Sequence, residues 1–324
     1  MTMQFALVGI GAGAAAALLF AAVTSGVWLS VPLFYLAPLP IMIAGIGWGH
    51  WAALIAAIAG ALGLWFMFGG VFLLAFSAGA GFPAWWLSYL TLLARPAGNN
   101  NDNAIEWYPP GRLVVWAAIL AALVVIVAIP NFGTDAESFR AGLRGALNIV
   151  LRSDNTAPAN APLDMASGAR PDRLLEFLVS VIPLAAAVLA TITNLLNLWL
   201  AGRVVNFSGR LARPWPQLSA LSFPPLLTPA LATAIALSFF DGMLGIVAGV
   251  ISASLLLAYG VLGFAVLHAI TQGMNARALI LSLAYAAVIT LGWPMLALCL
   301  LGLIDAVIGL RHRILGKHGP PAHS

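Results

Sequence analysis

Charge is what this chain has least of. Of its 324 residues only 7% are Asp, Glu, Lys or Arg, against 62% hydrophobic, whereas a soluble domain carries about 25% charged residues. No soluble fold of this size covers such a core with so few charges, so a water-soluble globular protein is excluded. The apolar residues come in long runs rather than in short segments of alternating polarity, which excludes an outer-membrane β-barrel. Cysteine is nearly absent as well. The single Cys299 rules out an intramolecular disulfide and a CxxC metal site, and it sits mid-run as a small apolar residue. There is no HExxH, no GxSxG and no GxxxxGK[ST]. The chain is therefore read as no enzyme, without cofactor or metal, and any ATP drive must come from a partner. Residues 1–4 hold no Lys or Arg, so the basic start of a cleavable signal peptide is missing and the first apolar run reads as a retained membrane helix. The net charge of +4 is spread over the ends of apolar runs, where it sets orientation, and is no nucleic-acid footprint.

What the chain does have is length of apolar sequence. The fold class that follows is all-α: a polytopic transmembrane helical bundle of about ten spans, or eight or nine if the short ones pair or re-enter. The spans fall at about 5–24, 31–47, 51–68, 70–94, 112–130, 174–200, 226–240, 243–270, 276–291 and 294–310. Gly9, Gly11 and Gly13 form a GxGxG in the first. It lacks the preceding strand that a dinucleotide fingerprint needs, so the glycines serve close helix approach. Ala52, Ala56 and Gly60, and likewise Gly245, Gly249 and Ala253, recur every fourth residue as small packing faces. Pro32, Pro38 and Pro40 break the second span, and GAGFP at 79–83 interrupts the fourth. Trp85, Trp86 and Tyr89 follow as an expected interfacial anchor. The Asn-rich tract 99–103 lacks the spaced oxygen ligands of an EF-hand loop, which leaves a flexible connector.

The one long hydrophilic segment is 131–173. Thr134-Asp135-Ala136-Glu137 has a capping pattern, and Phe139, Leu143, Leu147 and Val150 recur at helical spacing. That predicts a surface helix over 135–151 with arginines on its polar side; residues 154–169 read as disordered. The chain thus divides into an N-terminal membrane bundle (1–130), an extracytoplasmic loop with its amphipathic helix (131–173), a C-terminal membrane bundle (174–313) and a cytoplasmic tail (314–324). With ten spans both termini share a side, together with nine of the 14 basic residues. The positive-inside rule makes that side the cytoplasm of a bacterial inner membrane.

A charge inside a membrane helix costs roughly 2.5–3.5 kcal/mol, so Asp305 needs a partner, and His268 or an arginine is the natural one. Counting residues inward from the predicted exits brings Asn197, His268 and Asp305 to one level near the cytoplasmic face, with Arg277 entering from the turn and Asn194 one turn deeper. These five are the candidate binding cluster. As packing devices they would do no more than lock helices together. A paired-carboxylate enzyme is disfavoured because Asp241 and Asp305 lie toward opposite ends of their helices.

The segments GIGWGHWAALIAAIAGAL, AGFPAWWLSYLTLL, AVLHAITQGMNAR and LGLIDAVIGLRHR resemble the YybS-like family, bacterial membrane proteins that share a domain of unknown function. That family is distantly similar to the substrate-binding S components of energy-coupling-factor transporters and to the rod-shape protein MreD. The resemblance implies a helical bundle with room for a small molecule, and no catalytic residue. Two functions follow as expectations. One is a small-molecule-binding or transport-type subunit that works with an energy-coupling partner in the lipid bilayer. The alternative is a cell-envelope assembly scaffold that acts through membrane-protein partners.

Overall fold

A computed structural model of the chain describes residues 2–96, 105–153, 171–216, 218 and 221–315. The Asn-rich tract 99–103, the stretch 154–169 and the tail from 316 lie outside them. The molecule is mostly helical. In chain order the helices are α1 (Thr2–Ala21), α2 (Ser30–Tyr35), α3 (Pro38–Trp48), α4 (His50–Phe68), α5 (Gly70–Phe76), α6 (Phe82–Leu92), α7 (Pro110–Ala128), α8 (Ala136–Ser153), α9 (Pro171–Phe207), α10 (Leu227–Ser238), α11 (Met243–Ile270), α12 (Arg277–Leu291), α13 (Pro294–Ile308) and α14 (Leu310–Leu315). Among the described residues seven helical segments are long and apolar enough to cross a membrane; α10, α12 and α13 are apolar but shorter. This is a helical membrane protein.

Breaks fall where the backbone loses its donors or gains freedom. Gly49 separates α3 from α4 at φ 104°, a conformation side-chain-bearing residues avoid. Pro38 and Pro40 open α3, and Pro83 opens α6. Between α5 and α6 the chain makes a π turn, Ser77–Gly81: Pro83 has no N–H to return to the Gly79 carbonyl, so the turn widens. Pro183 lies inside α9 and does not end it, so this helix runs to Phe207, well past the predicted limit near residue 200. A two-stranded ribbon, β1 (Ala94–Pro96) and β2 (Ile105–Trp107), replaces part of the expected connector. It is pinned by an Arg95–Glu106 ion pair at 2.8 Å.

Packing follows the small-residue faces. Gly13 of α1 lies on the Ala56 carbonyl and Gly60 of α4, so no larger residue fits there. Gly263 of α11 meets the Leu298 carbonyl, and Gly302 of α13 meets the Tyr259 carbonyl. The Cys299 thiol also bonds the Leu256 carbonyl at 3.0 Å across the same seam. One core gathers Phe20, Ile41, Phe76 and Leu87 from α1, α3, α5 and α6. A second gathers Val114, Leu231, Tyr259 and Leu262 from α7, α10 and α11. In the aromatic cluster Trp85, Trp86 and Tyr89 are half-buried and pack ring against ring, Trp85 stacked on Tyr89, and Trp86 also meets Trp116 at 5.4 Å.

The two ends of the bundle differ in charge. At one end Arg210 covers the Trp48 ring at 4.6 Å and Arg203 the Trp215 ring at 5.2 Å. Arg112 lies over Tyr108, and Asp305 meets Arg311. At the other end α8 lays Phe139 and Leu143 against Ile129 of the α7 terminus and Val179 of α9. Arg140 and Arg144 face outward, Arg144 reaching Glu176 at 3.3 Å. The length of α7, about 30 Å at 1.5 Å per residue, separates these ends.

Candidate functional site

Between α2, α5, α7 and α9 lies a cavity of about 670 Å³, within the size range of small-molecule sites. Its origin is local. On α9, Ala186, Ala190, Thr193 and Asn194 fall on one helical face and all line the space. Opposite them are Ala78, Gly79 and Ala80 of the π turn. A side chain at Gly79 would meet nothing nearby, so small residues here leave room instead of closing a contact. Aromatic rings form one wall, with Phe20 and Phe34 at 4.7 Å. Phe20 also meets Phe76 edge-on at 5.3 Å. The rim includes the exposed Val71, Leu74 and Asn131, so the cavity opens away from the arginine-rich end.

Two asparagines of α9 organise its deep side. Asn194, buried, donates its amide N–H to the Ala117 carbonyl of α7 at 3.1 Å. Its amide oxygen accepts no hydrogen bond among the described residues and is available to a donor in the cavity. Asn197, one turn on and fully buried, donates to the Tyr35 carbonyl and to the Thr193 carbonyl, each at 2.8 Å. The Tyr35 carbonyl needs that donor. Three residues on stands Pro38, with no N–H, and the Leu39 N–H bonds the Leu36 carbonyl instead. The broken α2–α3 junction is thus completed by a side chain 162 residues away, as irregular backbone within a membrane protein requires. The Asn197 amide oxygen is itself buried without a partner, a cost of about 1–3 kcal/mol. A fully satisfied packing contact would avoid that cost.

The other candidates go to separate partners. Asp305 is buried and paired, its carboxylate taking the Arg311 guanidinium at 2.7 Å and the Arg311 backbone N–H at 2.9 Å. Gly309, at φ 67°, ends α13 and turns the chain back so that a residue six positions on can reach it. Of the two natural partners the arginine is the one realised. Arg311 also donates to the Leu221 carbonyl at 2.7 Å, tying α14 to the 208–226 loop. His268 instead shares a hydrogen bond with Tyr285 of α12 at 3.0 Å. Arg277 is exposed at the start of α12, and Asn275 is exposed in the preceding turn. Asn194 therefore lines the cavity and Asn197 holds the Tyr35 wall from behind, while Asp305 belongs to a latch at the basic end. Asp241 is exposed ahead of α11. Among the described residues no three His, Cys, Asp or Glu side chains come together to hold a metal.

The cavity and its broken helices were only half visible in sequence. The proline and glycine breaks are plain, but which carbonyls they free and which side chain answers them depend on contacts between distant helices. The site therefore defines a helical membrane protein with a ligand-sized, mostly apolar chamber and the Asn194 amide at its depth. No family model, curated protein or solved structure matches the chain.

Proposed function

We propose that the protein is a small-molecule-binding, transport-type subunit of the bacterial inner membrane, without an ATPase of its own. The observation that carries this reading is the cavity: broken helices, a free amide oxygen at Asn194 and a rim that opens at one end of the bundle are what a solute-binding membrane subunit needs. The likeness to the YybS-like family and its S-component relatives agrees with it. The excess of basic residues at the other end supports a topology with both termini cytoplasmic and α8 outside. The cavity then takes its ligand from the extracytoplasmic side. Its lining favours a mostly apolar solute with one or two hydrogen-bonding groups over a charged one. A membrane partner would supply the energy.

Native mass spectrometry from mild detergent tests this. The expected result is a retained small mass that Asn194→Leu removes while the protein stays folded. A wild-type protein that carries a stable protein partner and no small mass would overturn it in favour of an envelope scaffold. One observation favours that second reading: α12 is apolar yet has no buried residue, a surface open to lipid or to another helix. Orientation is tested by impermeant thiol labelling in intact cells. A cysteine replacing Glu137 should react and one replacing Gln272 should not; the reverse pattern would invert the topology.

A further inference from the structure

At the basic end a second cavity, about 270 Å³, lies between α7, α9 and the 208–216 loop. Its walls are aliphatic and aromatic apart from Thr91, whose hydroxyl is spent on the Leu87 carbonyl, and Arg213. That guanidinium is buried, with the residue only 8% exposed. It donates to the carbonyls of Thr91 and Tyr108, both at 3.4 Å, long for such bonds. Its Nε is buried with no partner at all, and among the described residues no carboxylate pairs with it. Burial pulls its pKa down, yet arginine stays charged in proteins. The nearby acids are already engaged, Glu106 with Arg95 and Asp305 with Arg311. A buried cation needs a counter-charge, and here it has only neutral carbonyls.

The mouth of the cavity points to what supplies that charge. Trp199 and Trp215 line it and are both exposed, at 50% and 37%. Arg203 lies over both rings, at 5.7 and 5.2 Å. Tryptophan with arginine at a helix end marks the membrane interface. The cavity is smaller than sites that enclose a whole ligand, roughly 300–1,000 Å³, so it holds part of one and leaves the rest in the bilayer. We propose that Arg213 and Arg203 bind the phosphate of an acidic phospholipid from the leaflet at this end, one acyl chain entering the cavity along Leu198 and Leu113. The planar guanidinium fork suits a phosphate oxyanion. This site is independent of the Asn194 cavity and of any transport.

The test is melting of the full chain in mild detergent with added phosphatidylglycerol, phosphatidylcholine or inorganic phosphate, with lipid retention read in parallel by native mass spectrometry. Phosphatidylglycerol should raise the melting temperature and be retained about tenfold better than phosphatidylcholine, a difference of about 1.4 kcal/mol. Inorganic phosphate should neither stabilise nor compete. Arg213→Gln should abolish the preference and Arg203→Gln reduce it severalfold. Should Arg213→Gln fail to fold, Gly202→Leu decides. It fills the mouth beside Trp215 and leaves Arg213 and its carbonyls in place, so it should lose the phosphatidylglycerol response and keep its melting temperature in phosphatidylcholine. Equal retention of the two lipids by the wild type, an unchanged preference in Arg213→Gln or Gly202→Leu, or displacement by inorganic phosphate would each overturn the assignment.

Discussion

Two of the small-residue faces have opposite results. Between α11 and α13, Gly263 and Gly302 bring backbone onto backbone, and the Cys299 thiol bonds across the seam; the Asp305–Arg311 pair fastens α14 beyond its basic end. Between α9 and the α5–α6 span, Ala186, Ala190 and Gly79 face open space. Composition does not separate the two. The partner does: α13 is a regular helix along the contact and can come close, whereas the π turn at Ser77–Gly81 and the α2–α3 break hold their backbones off. Small-residue faces permit contact, and regular partners convert permission into packing.

The largest effect should come from filling the closed seam. Gly263→Leu would drive a side chain into the Leu298 carbonyl, and the helices must part; the expected outcome is no folded protein by size-exclusion chromatography. A monodisperse variant melting as the wild type does would show that the seam is not closed. Next comes the latch. Asp305→Leu takes the carboxylate from the mostly buried Arg311 guanidinium, a loss of up to about 3 kcal/mol, visible as a lower melting temperature. Replacing both partners together, Asp305→Leu with Arg311→Met, should recover most of it. A single variant as stable as wild type would mean the pair is idle.

The same enlargement on the open side should do little. Ala190→Leu projects into the cavity, so stability should change by less than about 1 kcal/mol, because no close-packed neighbour is displaced. A small mass bound to the wild type should be lost. Melting as poor as that of the Gly263 variant would erase the contrast between the two regions.

The smallest effect lies outside the membrane-spanning helices. Asp135 accepts the Ser138 hydroxyl and the backbone N–H groups of Glu137 and Ser138 at the start of α8. The Ser138 hydroxyl bond, first among its causes, holds its carboxyl below the usual range. A depressed carboxyl adds stability that is complete above its unfolded pKa, about 3.9, and is lost as pH falls through the lower folded value. Amide exchange in 136–149 should therefore show lost protection in acid, below that range. Asp135→Ala should show little such loss on acidification; unchanged acid sensitivity in this variant would sink the capping account.

Much of this architecture was legible in the residues. Each of the ten apolar runs holds helix where hydropathy and proline placed it, because turn-to-turn hydrogen bonding inside an apolar run is set locally. The need of Asp305 for a partner could be read from the cost of its charge. That Arg311 answers it, through the turn at Gly309, could not be read from a depth count that took the helix as straight to its end. Residue counting puts Asn197 at the level of Asp305, whereas it serves the Tyr35 carbonyl, a demand created by Pro38 far away in sequence. Arg213 carries no mark of its own in the sequence, since nothing near it in the chain shows the loop folding back under Thr91 and Tyr108.

The wide turn at Ser77–Gly81 also sets the rotational phase of the span it interrupts. A π turn holds one residue more than an α turn, and one residue is about 100° of rotation. Phe76 before it points into the core with Phe20 and Ile41, while Leu87 and Ser88 after it are buried, Ser88 against Gly45 of α3. Deleting a single residue there would leave α5 where it is and swing the whole of α6. Leu87 and Ser88 would turn off α3, and the Trp85–Trp86–Tyr89 row would sweep past Trp116. A length change of one residue in this turn is a steering error for eleven residues of helix.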